Sequence, residues 1–415
     1  MHAVRAFLFV VFILSIGGCA GIAPPSGSSK PIVLAGPSEF LYVGTSQPGL
    51  VKYGITLDGE LHALPGDGFI PPICSPELSV SRQHVFSLSQ LCASSSQTEL
   101  RRFTLDVVGG IEALTPPLSL PGLPSASGSA LSFIVGINGK FAYAASIAPD
   151  LSEHITPVQI GSEGELTVIP PGLSWPPLDP FTNRCSEEHL PDAVVETPTG
   201  AYLSIRHEIS CADQAGPTIE YLVYKVDDQT GAIGDLLEVP LIAPAPESIF
   251  ATYSGTLLLI GSIHPLPGFE SGTLELHRVL LDGPTFATNP NLTLLQECQA
   301  NHPACAHPVA GTFHPSGKWL FVADRQAGGI WSVPVNEDSF SPEQATFLPT
   351  PLADGIRFAF AFEGKYLYVA QQNGTFAEIQ GFQVNDANGA LTPLNSQILH
   401  GVKSVTSMIA LVPEN

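Results

Sequence analysis

Twelve histidines stand in a chain that holds only 16 Lys and Arg residues, and several of them fall beside carboxylates. Glu187, Glu188 and His189 run together, and His207 is followed by Glu208. His264, His302, His307 and His400, the pair Asp324 and Arg325, and Arg357 complete the groups that could meet a ligand. A histidine held by a carboxylate can work as a general base, and a nearby guanidinium can stabilise a developing oxyanion. His207, Glu208 and Arg357 are the candidate catalytic residues for such a hydrolysis. His189, His264, His302, His307, Asp324 and Arg325 are the candidate ligand-contacting residues. His207, His264, His302 and His307 with Glu208 could instead hold a metal or an anion, and unconnected exposed loop histidines are the plain alternative. No HExxH pattern occurs, so no metal and no cofactor is expected. There is also no Gly-x-Ser-x-Gly elbow and no glycine-rich phosphate loop. The run Asp227-Asp-Gln-Thr-Gly231 lacks the alternating acids and terminal Glu of a calcium loop and reads as a hairpin turn.

These groups need a scaffold, and the scaffold is repetitive. The run His314-Pro-Ser-Gly-Lys-Trp-Leu-Phe-Val-Ala-Asp324 sets a Pro- and Gly-containing turn before a short apolar stretch. Glu363-Gly-Lys-Tyr-Leu-Tyr-Val-Ala370 and Asn138-Gly-Lys-Phe-Ala-Tyr-Ala-Ala145 repeat it. Weaker copies start at Ser38, Gln83, Thr199 and Ser254, which makes seven. Each copy leads to a second apolar run, then a turn rich in Asp, Asn and Gly, such as Leu57-Asp-Gly-Glu60 or Asn385-Asp-Ala-Asn-Gly389, then a third run. With one more run ahead of each copy, the unit is four short antiparallel strands recurring at intervals of about 54 residues. The expected fold is all-β, a seven-bladed β-propeller of four-stranded blades spanning residues 38–415. The C-terminal run Val405–Val412 is expected to pair into blade one and close the ring, with residues 32–35 as the alternative for that place.

In such a blade the start of the innermost strand and the end of the second strand share one face. Glu187, Glu188, His189, His207, Glu208, Asp324, Arg325 and Arg357 all fall at those places and are expected on one rim. The cysteines fit the same frame. Setting Cys19 aside, six remain, in neighbouring pairs: Cys74 with Cys92, Cys185 with Cys211, and Cys298 with Cys305. Sequence alone does not decide connectivity, but the first two pairs bracket one hairpin each. Three disulfides stapling rim insertions are expected; zinc is the lesser alternative, since no two-residue Cys spacing occurs.

Charged residues make up 13% of the chain, about half the usual share, and Gly and Pro number 39 each. The net charge of −22 repels phosphate backbones and argues against nucleic acid as a partner. At the N-terminus, His2 and Arg5 precede the apolar run Ala6–Ile16, which is too short to span a bilayer as a mature helix. The run ends in Ser15-Ile-Gly-Gly-Cys19, which resembles the lipobox of bacterial lipoproteins. By that resemblance residues 1–18 are a signal peptide and Cys19 carries the lipid. Residues 19–37, rich in Gly, Pro and Ser, are the tether. Ala20 in place of Asp favours the outer membrane. An ordinary secretory signal is the alternative.

The unit Gly-Lys-aromatic-Leu-Tyr-Val-Ala, followed by Asp-x-x-(Thr/Asn)-Gly-Ala-Leu-Thr-Pro, resembles the seven-bladed lactonase family. That family includes bacterial 6-phosphogluconolactonases and related surface propellers. Gly364–Ala370 with Asn385–Pro393 carries the resemblance best, and the repeats extend it over residues 38–412. It implies the propeller fold and, as the activity to test, lactone hydrolysis. Catalytic members carry a Pro-Arg-His triplet before an inner strand and an Asn-Glu pair ending the next. Here blade six has Pro308-Val-Ala310 and Asp324-Arg325, and blade seven has Gly355-Ile-Arg357 and Gln371-Gln372. Blade four has Pro191-Asp-Ala193 and His207-Glu208. The expectation is a monomeric, membrane-tethered binding or scaffold propeller whose rim meets a protein or small molecule, with a periplasmic lactone hydrolase as the alternative.

Overall fold

Short apolar runs bounded by Gly, Asp and Asn turns cannot bury themselves singly, so they pair edge to edge and then stack face to face. A computed structural model describes residues 39–45, 50–64, 73–81, 84–91, 98–105, 111–119, 133–136, 139–147, 152–176, 185–197, 200–211, 218–244, 248–254, 257–265, 272–280, 308–325, 328–335 and 344–412. The N-terminal segment with Cys19 lies outside these residues, as do Cys92, Cys298, Cys305, His302 and His307. Among the described residues no helix is long and apolar enough to cross a membrane.

The chain is an all-β propeller, and among the described residues its strands form seven antiparallel sheets. Sheet one holds β1 (Glu39–Thr45), β2 (Leu50–Ile55) and β3 (Leu61–Ala63); sheet two holds β4 (Ile73–Ser81), β5 (His84–Leu91), β6 (Thr98–Leu105) and β7 (Ile111–Ser119). Sheet three holds β8 (Phe133–Val135), β9 (Phe141–Ile147), β10 (Glu153–Ile160), β11 (Leu166–Val168) and β12 (Leu173–Trp175). Sheet four holds β13 (Cys185–Thr197), β14 (Gly200–Cys211), β15 (Thr218–Val226) and β16 (Ile233–Pro244). Sheet five holds β17 (Ser248–Ser254), β18 (Leu257–Pro265) and β19 (Gly272–Leu280). Sheet six holds β20 (Pro308–Phe313), β21 (Trp319–Asp324), β22 (Gly329–Pro334) and β23 (Thr346–Pro349). Sheet seven holds β24 (Asp354–Ala361), β25 (Tyr366–Asn373), β26 (Phe376–Val384) and β27 (Leu391–Leu399). The last strand, β28 (Val405–Leu411), pairs antiparallel with β1, from Phe40 opposite Leu411 to Thr45 opposite Val405.

Two sheets depart from four strands. Sheet three gains β12 because Pro170 and Pro171 donate no backbone hydrogen bond, so pairing along β10 stops after β11 and resumes at Leu173. Sheet five shows three strands among the described residues. Sheet four is the longest: β13 and β14 stay paired from Thr197 opposite Gly200 out to Cys185 opposite Cys211.

The cores lie between consecutive sheets. Leu100 of sheet two packs with Phe133 and Val158 of sheet three, and Tyr143 of sheet three packs with Leu203 and Tyr224 of sheet four. Phe321 and Ile330 of sheet six pack with Leu367 and Phe382 of sheet seven. Tyr366 and Tyr368 of sheet seven pack with Leu41 and Tyr53 of sheet one. The repeated Gly-Lys-aromatic unit explains how three of the described junctions register, with Phe141 against Gly231, Trp319 against Gly389 and Tyr366 against Gly59. Its aromatic lies flat on the turn glycine of the following sheet, so no side chain fits there. A Cβ on Gly389 would lie 2.4 Å from the Trp319 ring, and one on Gly59 would lie 2.4 Å from Tyr366. Polar tips then clasp the same turns. Tyr143 Oη donates to the Gly231 carbonyl at 3.0 Å, Tyr368 Oη to Gly59 at 2.9 Å and Trp319 Nε1 to Asp386 at 3.2 Å.

His314, at the head of the strongest repeat, is a clasp as well. The Ser316 N–H donates to its Nδ1 at 3.1 Å, which leaves Nε2 to donate to the Gly364 carbonyl at 3.1 Å in the next sheet. Its ring meets Phe360 edge-on at 5.4 Å. This histidine is structural.

The contact of sheet seven with sheet one includes a buried acid. Glu39 on β1 accepts a hydrogen bond from the Phe362 N–H. Burial pushes its carboxyl upward, the Phe362 bond opposes that, and Glu363 adds to it. A carboxyl with a raised folded-state pKa keeps its proton longer in the native state than in the unfolded chain. Stability therefore falls as pH rises from the unfolded pKa through the folded one. Glu39→Gln removes this dependence: the melting temperature of wild type minus that of the variant is expected to decline as pH rises from about 4.5 toward neutrality. A flat or rising difference curve would exclude Glu39 as its source.

Candidate functional site

The long hairpin of sheet four carries His189 and His207 as directly opposed residues, so both rings share the face turned toward sheet three. Glu153 opens β10, opposite Trp175 of β12, and meets them there. The Glu153 Oε2 accepts from the His189 backbone N–H at 2.8 Å and pairs with its Nδ1 at 2.6 Å. Trp175 stacks on one face of the His189 ring at 3.9 Å and 11°, and His207 stacks on the other at 4.1 Å and 10°. His189 is 4% exposed. Because the carboxylate takes the Nδ1 side, the Nε2 side of the ring is the one directed to any further partner. Two stacked rings and two bonds to one oxygen leave the imidazole no rotation. The arrangement can present a fixed hydrogen-bonding nitrogen to a ligand, or accept a proton from one.

On either side of Glu153 in the sequence, Ser152, just ahead of β10, places its Oγ 2.9 Å from His154 Nε2. Successive strand residues point to opposite faces, so that pair faces away from His189.

The other expected rim residues scatter in character. Asp324 is fully buried and accepts from Trp331 Nε1 at 3.1 Å, so its carboxylate closes the end of sheet six and does not face solvent. Its neighbour Arg325 is exposed. Gln371, at the corresponding end of sheet seven, is buried and spent on the backbone of residues 351–353: its Oε1 accepts from Ala353 N–H at 2.8 Å. Arg357 is exposed and stands on β24, far along the chain from the histidine pair. It donates from Nε to the Thr406 carbonyl on β28 and from Nη1 to the Ile356 carbonyl, each at 2.9 Å. His400 is exposed beyond β27. Glu187, Glu188, Glu208 and His264 lie on described strands, with Glu188 opposite Glu208. Among the described residues no group of three or more His, Cys, Asp or Glu could hold a metal ion.

Of the predicted residues the fold thus joins His189 and His207, and it adds two that the sequence reading passed over, Glu153 and Trp175. The start of a third strand lies on the same face as the end of a second. Applying that rule to the first residue of β10 would have found Glu153.

Residues 286–407 match the family model described as Lactonase, 7-bladed beta-propeller. Solved structures share the fold over 90–92% of the chain. A protein from Lactobacillus plantarum is 15% identical with a TM-score of 0.60, covering 90% of this chain and 99% of its own. A candidate 6-phosphogluconolactonase from Bacteroides uniformis is 17% identical with a TM-score of 0.59, covering 91% and 100%. Another from Bacteroides fragilis is 18% identical with a TM-score of 0.55, covering 92% and 100%. At these identities the structures speak for the fold alone. No curated protein matches the chain. The chain has the β-propeller fold, and over residues 286–407 it resembles the lactonase propellers.

Proposed function

We propose that this propeller is a cell-envelope lipoprotein that binds a ligand at the seam of sheets three and four without transforming it. In this reading residues 1–18 are removed, Cys19 carries the lipid and residues 19–37 tether the domain to the outer membrane. The seven sheets are seven blades of one monomeric ring closed by β28. Closure is supported by the β1–β28 pairing and by Tyr366 meeting Gly59 as Trp319 meets Gly389. The register that sets Cys185 opposite Cys211 supports a disulfide there, since opposed antiparallel residues stand about 4.5–5.5 Å apart, within bridging range. Disulfides Cys74–Cys92 and Cys298–Cys305 would staple the same rim.

The observation that carries the binding reading is the His189 ring, clamped by Glu153 between Trp175 and His207. The departures from the family's triplet and pair, together with the burial of Asp324, support absence of the family's reaction. The same clamp favours a second reading, hydrolysis of a lactone or sugar-derived ester with His189 as base. A lactone panel including 6-phosphogluconolactone separates the two. The binding reading expects wild type to give no turnover above the spontaneous rate. Turnover that disappears in His189→Phe, which keeps a ring in the stack but removes both nitrogens, would replace it with the hydrolase.

A further inference from the structure

The clamp on His189 uses one oxygen of Glu153 and leaves the other unspent. Oε2 takes both bonds from His189, at 2.8 and 2.6 Å, and among the described residues nothing donates to Oε1. No Lys or Arg among them pairs with this carboxylate either; its ionisable partner is the imidazole itself. The Glu153 side chain is 14% exposed, so a ligand can reach it although water solvates it poorly. With the Nδ1 proton given to Glu153, the neutral His189 ring leaves Nε2 as an acceptor. The strand register extends the pattern. His189 stands opposite His207, and His207 stands opposite Glu220 on β15, so the row of opposed positions runs from one glutamate to another. Arg206, beside His207 in sequence, belongs to the other face, because Leu203 and Ile205 of the same strand pack toward sheet three. The row offers acceptors and negative charge, and it contains no Lys or Arg to answer them.

We infer that the ligand of this seam is a small organic cation, an ammonium or guanidinium compound whose N–H groups reach Glu153 Oε1 and His189 Nε2. The inference rests on the binding reading above and names the class of ligand that reading leaves open. A ligand that covers a carboxylate without donating to it strands a charge away from water, which is strongly unfavourable. An anion would add direct repulsion to that cost. The net charge of −22 works in the same direction at longer range, raising the concentration of cations near the surface. Trp175, half-buried against His189, is the ring type that attracts a cation best. A metal ion fits the seam less well, since among the described residues no group of three or more His, Cys, Asp or Glu could hold one.

Calorimetric titration of the full-length protein with four small probes tests the class: putrescine, agmatine, neutral 1,4-butanediol and anionic succinate. Wild type is expected to bind at least one of the two amines and neither of the other probes. Tighter binding of agmatine assigns the guanidinium, and equal or tighter binding of putrescine the ammonium. Glu153→Gln, which keeps an acceptor for His189 but removes the charge, is expected to weaken amine binding by about tenfold or more, the loss of one charge-assisted contact. Should that variant fail to fold, Glu220→Gln takes its place and is expected to bind several-fold more weakly. Absence of amine binding by wild type, or unchanged affinity in the variant, would overturn the inference. Binding of butanediol or succinate that His189→Phe abolishes would overturn the cationic class while keeping the seam as the binding site. The seam itself is tested separately, by the coupling of Glu153 to His189.

Discussion

Gly389→Ala will lower the stability of the propeller by about 3 kcal/mol, a large loss for a single methyl group. Two costs combine at that position. The residue closes the Asn385–Gly389 turn with φ +66°, where an L side chain costs roughly 1–2 kcal/mol. The new methyl would also enter the Trp319 ring, 2.4 Å from its nearest atom, and overpacking of this kind costs about 1–3 kcal/mol. The ring cannot yield easily. Trp319 is 8% exposed and its Nε1 is bonded to Asp386. Denaturant unfolding reads the effect. In a Trp319→Leu background the same substitution should cost visibly less, because the ring that obstructs it is gone. A loss below about 1 kcal/mol in the native background would mean that the sheets are not registered by ring-on-glycine contact.

Glu153→Ala should be the most damaging change at the candidate site, at about 3 kcal/mol. The carboxylate serves two donors of one residue, the His189 N–H and Nδ1, and His189 is buried. Truncation strands both in a place water barely reaches, at about 1–3 kcal/mol for each stranded group. Glu153→Gln keeps an acceptor oxygen and should cost only about 1 kcal/mol. The interval between the two variants, measured by denaturant midpoint at constant slope, is the informative quantity. If alanine and glutamine cost alike and little, the carboxylate is a bystander.

The repeat was legible because its chemistry is local. Gly-Lys-aromatic and the Asp/Asn/Gly turns each specify a bend within a few residues, and seven copies fix a strand order. The junctions were less legible. Nothing in the spacing of Trp319 and Gly389, seventy residues apart, announces that one packs on the other; only the stacked sheets bring them together. Glu153 and Trp175 escaped for the same reason. Their partner His189 lies on the next sheet, and Trp175 sits on β12, a strand that a four-strand template does not contain. Asp324 was expected at the ligand-facing rim because it ends a second strand. Trp331, seven residues further on, folds its indole N–H onto the carboxylate and closes it in. Chain position places a residue at an edge; the neighbouring side chain decides whether that edge is open.

The account depends most on His189 being clamped by Glu153, as opposed to being one of several unconnected rim histidines. A double-mutant cycle with Glu153→Gln, His189→Phe and the double variant isolates that link, since phenylalanine preserves the ring between Trp175 and His207 while removing Nδ1. The predicted coupling free energy is about 1–2 kcal/mol. A value indistinguishable from zero would contradict the clamp and, with it, the placement of the binding site at the seam of sheets three and four.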